Sequence, residues 1–327
     1  MDSSPSESSG SGFQKNICYD LHRMLLKILV LAGCLLFGPS LAGAAVQKIG
    51  PHLYAYISSN DASANATFLV SDQGILVVDT GLNDEEGRRL LEEIRKISSG
   101  PVRWIVNTHY HPDHRGGNST VGPDAVIIST KFTRDQVLRS WETQTRKTGQ
   151  NRPHDYNLNE MIGFTAGDEG RVTLTLGAHD VRIYHPGPAH TRGDLVVYFP
   201  DQQAIATGDL FLNGSCPAMD DGDMENWITS LDHILTLPVQ HIVPGHFGLA
   251  SKSELQHFRD YLASLRDQVG AMSRRGFTLE QVKKKLDLSP YQDLRQFPQY
   301  EATFADNATA YYRQLQAKAR SSRRTRH

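Results

Sequence analysis

The sequence predicts an α/β protein in which strands and helices alternate in two successive halves. Short apolar runs of strand type come first, helices then alternate with strands, and the same order repeats further along. Each polar residue of metal-binding or catalytic type stands where such a run stops: Asp79, His109, His190, Asp209 and His246. Loops at strand ends, held by a sheet, are where binding groups concentrate.

The elements follow in order. His52–Ile57 reads as a strand, and Ala66–Val70 with Gly74–Val78 as a hairpin over Ser71–Gly74. Asp79-Thr80-Gly81 ends that run. Asn83 caps a helix reaching Ile97, with Leu90, Leu91, Ile94 and Ile97 on one face. Val102–Val106 is a strand, Gly116-Gly117-Asn118 turns the chain, Ala125–Ile128 is the next strand, and Thr133–Thr145 is a helix. Gly149–Asn159 is polar and irregular, a loop placed near the mouth of any site. Strand signals return at Arg171–Leu176 and Val181–His185. The loop Pro186–Asp194 leads into strands Leu195–Phe199 and Gln203–Thr207. Asp223 caps a helix to about Leu237, and His241–Val243 is a short strand ending in Pro244-Gly245-His246. Helices over Ser251–Ser273, Leu279–Leu286 and Glu301–Ala319 complete the body, and residues 321–327 form a basic, frayed tail.

Composition sets outer bounds. The 327 residues are 39% apolar and 21% charged, as in a water-soluble globular protein. A net charge of -2 gives no global field towards nucleic acid or an anionic membrane, so the expected partner is a small-molecule substrate. Residues 1–23 are Ser/Gly-rich and read as disordered, or as an extension ahead of a start at Met24. From Met24 a basic start at Lys27 leads into the apolar run Ile28–Phe37 and the small-residue site Ala42-Gly43-Ala44, which is the pattern of a secretory signal over 24–44. That run is too short to leave a stable membrane span. Leu31-Ala32-Gly33-Cys34 also has the look of a lipoprotein box, but the apolar run continues past Cys34, which favours cleavage after Ala44. A periplasmic or secreted protein is therefore expected. Only Cys216 of the three cysteines would survive cleavage, so the mature chain would rely on its core and not on a disulfide.

The richest stretch is Asn107-Thr108-His109-Tyr110-His111-Pro112-Asp113-His114. It places three histidines and a carboxylate within six residues, directly after a strand. Imidazole nitrogens and carboxylate oxygens suit zinc, and also iron or manganese. His190 in Ala-His-Thr-Arg-Gly-Asp, Asp209 in Thr-Gly-Asp and His246 in Pro-Gly-His follow in later loops.

This set resembles the metallo-β-lactamase superfamily of binuclear metallohydrolases, over about Val46 to Ala250 and with the motifs in the family's order. The resemblance implies an αββα sandwich over 45–250, with helices 251–320 packed upon it. It implies that His109, His111 and His190 hold one divalent ion, that Asp113, His114 and His246 hold a second, and that Asp209 bridges them. Asp79 corresponds to the aspartate that orients the histidine loop. The chemistry expected of two ions about 3.5–4 Å apart is hydrolysis, a metal-bound hydroxide attacking an ester, thioester, lactone or lactam carbonyl, with Asp113 handling the proton passed to the leaving group. Zinc is the expected metal.

The sequence departs from the best-known antibiotic-hydrolysing classes. Asp209 stands where one class has a cysteine ligand, and Leu212 stands where that class has a lysine that binds the drug's carboxylate. The ligand set is closer to glyoxalase II-type thioesterases, lactonases and phosphodiesterases. β-Lactamase activity proper, an iron-dependent sulfur dioxygenase-like oxidoreductase, and a non-catalytic metal-binding protein are the alternatives. Arg192, beside His190, and Asn213, just past Asp209, are the candidate substrate contacts. His154, His179, His185, His233, His241 and His257 read as loop, turn, strand or surface residues. Trp141, Trp227, Phe258 and Tyr261 read as packing residues, and Tyr311 and Tyr312 as the docking face of the last helix.

Overall fold

The computed structural model describes residues 44–148, 162–164, 171–219 and 221–324. Residues 1–23, the leader up to residue 43, the Gly149–Asn159 loop with His154, and the end of the basic tail lie outside the described residues.

Two sheets form the centre. The first contains, in spatial order, β1 (Ala45–Lys48), β2 (Leu53–Ile57), β3 (Ala66–Ser71), β4 (Gly74–Val78), β5 (Val102–Val106), β6 (Val126–Thr130) and β7 (Ile162–Phe164). The second runs β12 (His241–Pro244), β11 (Ala204–Gly208), β10 (Val196–Phe199), β9 (His179–Tyr184), β8 (Arg171–Leu176). Pairing is antiparallel from β1 to β4 and parallel from β4 to β7. β11 and β12 are also parallel. Parallel neighbours need a crossover, and helices supply it: α1 (Asp84–Ile97) links β4 to β5, and α5 (Met224–Thr236) links β11 to β12. Between them lie α2 (Pro112–Arg115), α3 (Asn118–Val121) and α4 (Lys131–Thr148). α6 (Lys252–Arg274), α7 (Leu279–Lys285) and α8 (Phe304–Arg324) close the chain.

Strand periodicity decides the layering. Successive side chains point to opposite faces, and in the central strands, such as β4, β10 and β11, both faces are buried. Leu76, Val78, Val106 and Ile128 of the first sheet meet Val197, Phe199, Ala204, Ala206 and Val243 of the second in one core between the sheets. The alternate residues of the same strands face outwards. Phe68, Ile75, Val77, Ile105 and Ile127 pack under Leu90 and Ile94 of α1 and Val137 of α4. Val196, Tyr198, Ile205 and Ile242 pack under Trp227 and Leu231 of α5 and Phe258 and Leu262 of α6. The result is the αββα sandwich, with α6, α7 and α8 extending the outer layer over the second sheet.

Most elements fall where the sequence placed them. Asn83 caps α1 with its side chain, and Asp223 caps α5. α4 is longer than expected at both ends. α8 starts at Phe304, not Glu301. Glu301 adopts a left-handed φ of 53°, and the Thr303 hydroxyl accepts the Asp306 amide as the true cap. β1, β7 and the short helices α2 and α3 were not expected; each is four residues or fewer, too short for a periodic signal. Among the described residues no helix is long and apolar enough to cross a membrane.

Candidate metal centre

Parallel pairing brings the C-terminal ends of β4 and β5 to one edge, and likewise those of β11 and β12. Asp79 follows β4, the histidine loop follows β5, Asp209 follows β11, and His246 lies just past β12. His190 sits in the loop entering β10.

Two groups of donors form there. His109, His111, His190 and Asp209 offer one atom each, all within 4.8 Å of one another; Asp113, His114, Asp209 and His246 do the same. In the first group His109 Nε2 lies 2.9 Å and His190 Nε2 3.2 Å from His111 Nδ1. Asp209 Oδ2 lies 3.5 Å from His190 Nε2 and 3.9 Å from His109 Nε2. In the second group Asp209 Oδ1 lies 3.2 Å from His114 Nε2 and 3.6 Å from His246 Nε2. Asp113 Oδ2 lies 3.4 Å from His114 Nε2 and 3.1 Å from His246 Nε2. A tetrahedron with bonds of about 2.0–2.1 Å has edges of roughly 3.3–3.4 Å, so these separations are those of donors around a common centre. Asp209 turns one oxygen to each group.

The electrostatics of the two groups differ. Burial, with the neighbouring His114 and His111 rings, holds His109 well below its ordinary pKa. Burial lowers His111 in the same direction and takes His190 to about 4. The first group therefore presents neutral imidazoles, the ligand form. In the second group burial opposes charge on His114, yet the Asp209, Asp79 and Asp113 carboxylates lift it well above the ordinary value. His246 is raised against burial by Asp209 and Asp113. Asp113 and Asp209 are held low, against burial, by the same histidines. Positive charge is favoured at that point, and a proton is the smallest cation that can supply it. His114 Nε2 and Asp209 Oδ1 are also buried without a hydrogen-bond partner. Orphaned buried polar atoms are rare in native proteins. The residues thus fit a pair of divalent ions.

Supporting groups fix the rings. Asp79, left-handed at φ 58°, accepts the Thr108 amide at 2.8 Å, the Thr108 hydroxyl at 2.7 Å and His114 Nδ1–H at 2.7 Å. That bond leaves His114 Nε2 facing the second group. His109 Nδ1–H donates to the Thr108 hydroxyl at 3.1 Å, and His190 Nδ1–H to the Ala218 carbonyl at 3.2 Å. Asp194 accepts the Thr191 amide and hydroxyl and so shapes the turn that presents His190; burial pushes its own pKa up to about 7. Gly208 is left-handed at φ 51°. Gly245 is required for a different reason: a Cβ there would lie 2.0 Å from Asp209 Oδ1.

Of the expected site residues, the seven donors and Asp79 come together. Arg192 and Asn213 do not line the cavity above them. Arg192 places its guanidinium 5.5 Å from the Phe132 ring. Asn213 donates to the Gly248 and Leu249 carbonyls, and so holds the backbone past His246. His185, His233, His241 and His257 belong to neither donor group. Asn65 was missed. Its amide donates to the Pro244 carbonyl at 3.0 Å and the Phe247 carbonyl at 2.7 Å, clamping the turn around His246. These partners lie 179 and 182 residues away, so no local sequence signal marks it.

The fold is an αββα sandwich with two candidate metal-binding groups at one edge of its sheets. The sequence profile of the metallo-beta-lactamase superfamily matches residues 60–246, and the chain belongs to that superfamily. It is 26% identical over 253 residues to the metallo-beta-lactamase type 2 of Elizabethkingia meningoseptica, covering 73% of this chain and 93% of that protein. It is 24% identical to the linear primary-alkylsulfatase of a Pseudomonas species, over 67% of this chain but about half (49%) of that longer protein. Among solved structures, a metallo-beta-lactamase from Pontibacter korlensis superposes with a TM-score of 0.53 at 22% identity, over 67% of this chain and 99% of that one. The sec-alkylsulfatase Pisa1 from Pseudomonas superposes with a TM-score of 0.65 at 17% identity, over 83% of this chain and 50% of that one. At these identities the structural likeness speaks for the fold.

Proposed function

We propose that the chain is an exported two-metal hydrolase acting on a carbonyl substrate: an ester, thioester, lactone or lactam. The observation that carries this reading is Asp209, whose two oxygens each face a separate donor group. His109, His111 and His190 would hold one ion, Asp113, His114 and His246 the other, with zinc the metal that suits this N/O donor set. When bound, such a pair ionises a water near neutral pH and polarises the oxygen under attack.

The protein's own part is positioning. Asp79 keeps the His114 proton on Nδ1, so Nε2 stays available. Thr108 ties the His109 ring to the same carboxylate. Asp113 lines the cavity and is partly exposed there, with a side-chain exposure of 25%. It is the carboxylate placed to accept a proton from the attacking water and return it to the leaving group. The cavity is about 390 Å³, the scale of a small molecule. Among the described residues its lining contains no lysine or arginine, and Leu212 is part of it. Leu212 stands where one antibiotic-hydrolysing class has a lysine for the drug's carboxylate, which weighs against β-lactamase activity of that kind. Export rests on the 24–44 segment, and N-terminal sequencing of the exported protein should begin at Ala45.

The deciding experiment is metal analysis of the purified chain followed by turnover of a thioester, a lactone, a β-lactam and an alkyl sulfate. Two zinc ions per chain and metal-dependent cleavage of the first two are expected. Iron with oxygen uptake on a persulfide would replace this reading with a dioxygenase. No metal-dependent turnover of any of the four would reduce it to a metal-binding protein.

A further inference from the structure

One wall of the cavity is aromatic, and most of it comes from chain beyond the superfamily match. Phe297, Tyr300 and Ala302 line the cavity beside Phe247 and the donors. Their segment is tied down. The Arg295 amide donates to the Gly214 carbonyl at 3.0 Å, and the Cys216 amide to the Arg295 carbonyl at 2.9 Å. Phe297 and Ala302 exchange backbone bonds of 3.0 and 3.2 Å, closing a tight turn with Tyr300 on it. Phe247 holds a left-handed φ of 70°, unfavourable for a bulky residue, and the Asn65 amide bonded to its carbonyl maintains it.

The ring geometry is specific. Phe247 and Phe297 are within 10° of parallel, with centroids 5.8 Å apart. The Arg295 guanidinium lies 3.6 Å from the Phe247 centroid and 6.0 Å from that of Phe297. The two rings are stacked, and the guanidinium lies nearer to Phe247 than to Phe297. Arg295 is exposed, and its guanidinium lies on the Phe247 ring outside the cavity lining. Of the acidic side chains that line it among the described residues, Asp113 and Asp209 belong to the donor groups and Asp61 does not.

We propose that this aromatic wall seats an uncharged aromatic substituent of the substrate, with Phe247 and Phe297 setting the preference. The inference rests on the carbonyl-hydrolase reading above and adds the substrate class to it: neutral esters or thioesters with an aryl-bearing acyl group. Arg295 is a positioning residue that stiffens the wall.

The test uses the full, metal-loaded chain and N-acetylcysteamine thioesters, with thiol release as the readout. The phenylacetyl thioester should exceed the acetyl one in kcat/KM by about tenfold or more, the scale a well-fitted apolar pocket reaches. Phe297→Ala should shrink that ratio by about tenfold, and Phe297→Tyr, which keeps the ring, should restore most of it. A 4-carboxyphenylacetyl thioester should be cleaved about tenfold more slowly than the phenylacetyl one, because its carboxylate would have to give up water against the rings. An anion cleaved equally well, no phenylacetyl preference in the wild type, or equal losses on both neutral thioesters in Phe297→Ala overturns the proposal. Binding of benzyl methyl ketone, an uncharged carbonyl compound that cannot be hydrolysed, separates this inference from the hydrolase reading. If neither these thioesters nor the lactone, β-lactam and alkyl sulfate above are cleaved, the hydrolase reading fails; ketone binding weakened about tenfold by Phe297→Ala would still uphold the wall, and binding that is absent or unchanged would remove it.

Discussion

Replacing Asp79 by Asn tests the site through a residue that never touches substrate. Asp79 is 2% exposed, and its carboxylate accepts three hydrogen bonds: Oδ1 from the Thr108 amide, Oδ2 from the Thr108 hydroxyl and His114 Nδ1. Asn keeps the shape and tolerates the left-handed backbone, but one end becomes a donor. With its NH2 at the Oδ2 position it faces a hydroxyl and an N–H. Flipped, it faces the Thr108 amide. Either way at least one buried donor loses its acceptor, at a cost of about 1–3 kcal/mol. In the first orientation His114 recovers a bond only by accepting at Nδ1, which moves its proton to Nε2, the atom facing the second donor group. A protonated Nε2 is no ligand. Loss of such a supporting bond typically costs about 10–100-fold in metal affinity, or roughly 1.4–2.7 kcal/mol. The assay equilibrates the chain against graded zinc buffers and counts ions by mass spectrometry. Wild type should hold two ions at free zinc concentrations where Asp79→Asn holds one. Equal retention of both ions would refute the tautomer argument.

His109→Ala and Asp209→Ala should each abolish metal-dependent turnover, by about a thousandfold or more, while far-ultraviolet circular dichroism stays that of the wild type; undiminished turnover in either would contradict the assignment. Asp209→Ala should lose both ions and His109→Ala chiefly one, because only Asp209 faces both groups. Gly245→Ala places a methyl 2.0 Å from Asp209 Oδ1, so it should lower unfolding stability by about 1–3 kcal/mol and weaken metal binding, read by urea denaturation and zinc titration. Away from the site, the Ser251 hydroxyl and amide hold Glu254 down to a pKa of about 2 in the capping box of α6. A lowered carboxylate stabilises above its unfolded pKa and ceases to as pH falls through the folded one. Ser251→Ala should therefore cost about 0.5–2 kcal/mol at pH 7, a penalty that shrinks between about pH 4.5 and 2 in urea midpoints measured across that range.

Most donors were legible in the sequence because they follow strands whose ends converge where neighbours run parallel, while His190 was legible from its loop motif and sits in the loop entering β10. Val77 and Val78 announce a buried strand, so Asp79 has to lie at its end; the same holds for Thr207 before Asp209 and Val243 before His246. The layering was also legible, since runs such as Gly74–Val78 are apolar on both faces. What the sequence did not disclose is long-range geometry. Asn65 and Asn213 are both polar residues near strand or loop ends, and nothing local separates a clamp on a distant turn from a substrate contact. Asn213 was expected to contact substrate and instead grips the Gly248 and Leu249 carbonyls. Phe297 lies in a stretch with no periodicity, and its place beside Phe247 depends on the bridge between Arg295 and Ser215.

The charge at the centre and the character of the wall belong together. The first donor group is neutral but for Asp209, and no placement of protons can serve three converging imidazole nitrogens at once. The second group assembles Asp113 and Asp209 with His114 and His246, and Asp79 stands behind His114. On the proposed reading, two divalent ions held there would outweigh those three carboxylates and leave a net positive charge where a substrate oxygen would gain negative charge. Attraction for the reacting carbonyl is then supplied at the floor of the cavity. A second cation in the walls would draw anionic molecules into unproductive poses, whereas a flat apolar wall adds affinity without competing for charge. Arg295 fits this logic: the nearby cation lies across Phe247 and Phe297 and outside the cavity lining. On this reading, selectivity in the site would come from shape on the aromatic side and from charge on the metal side.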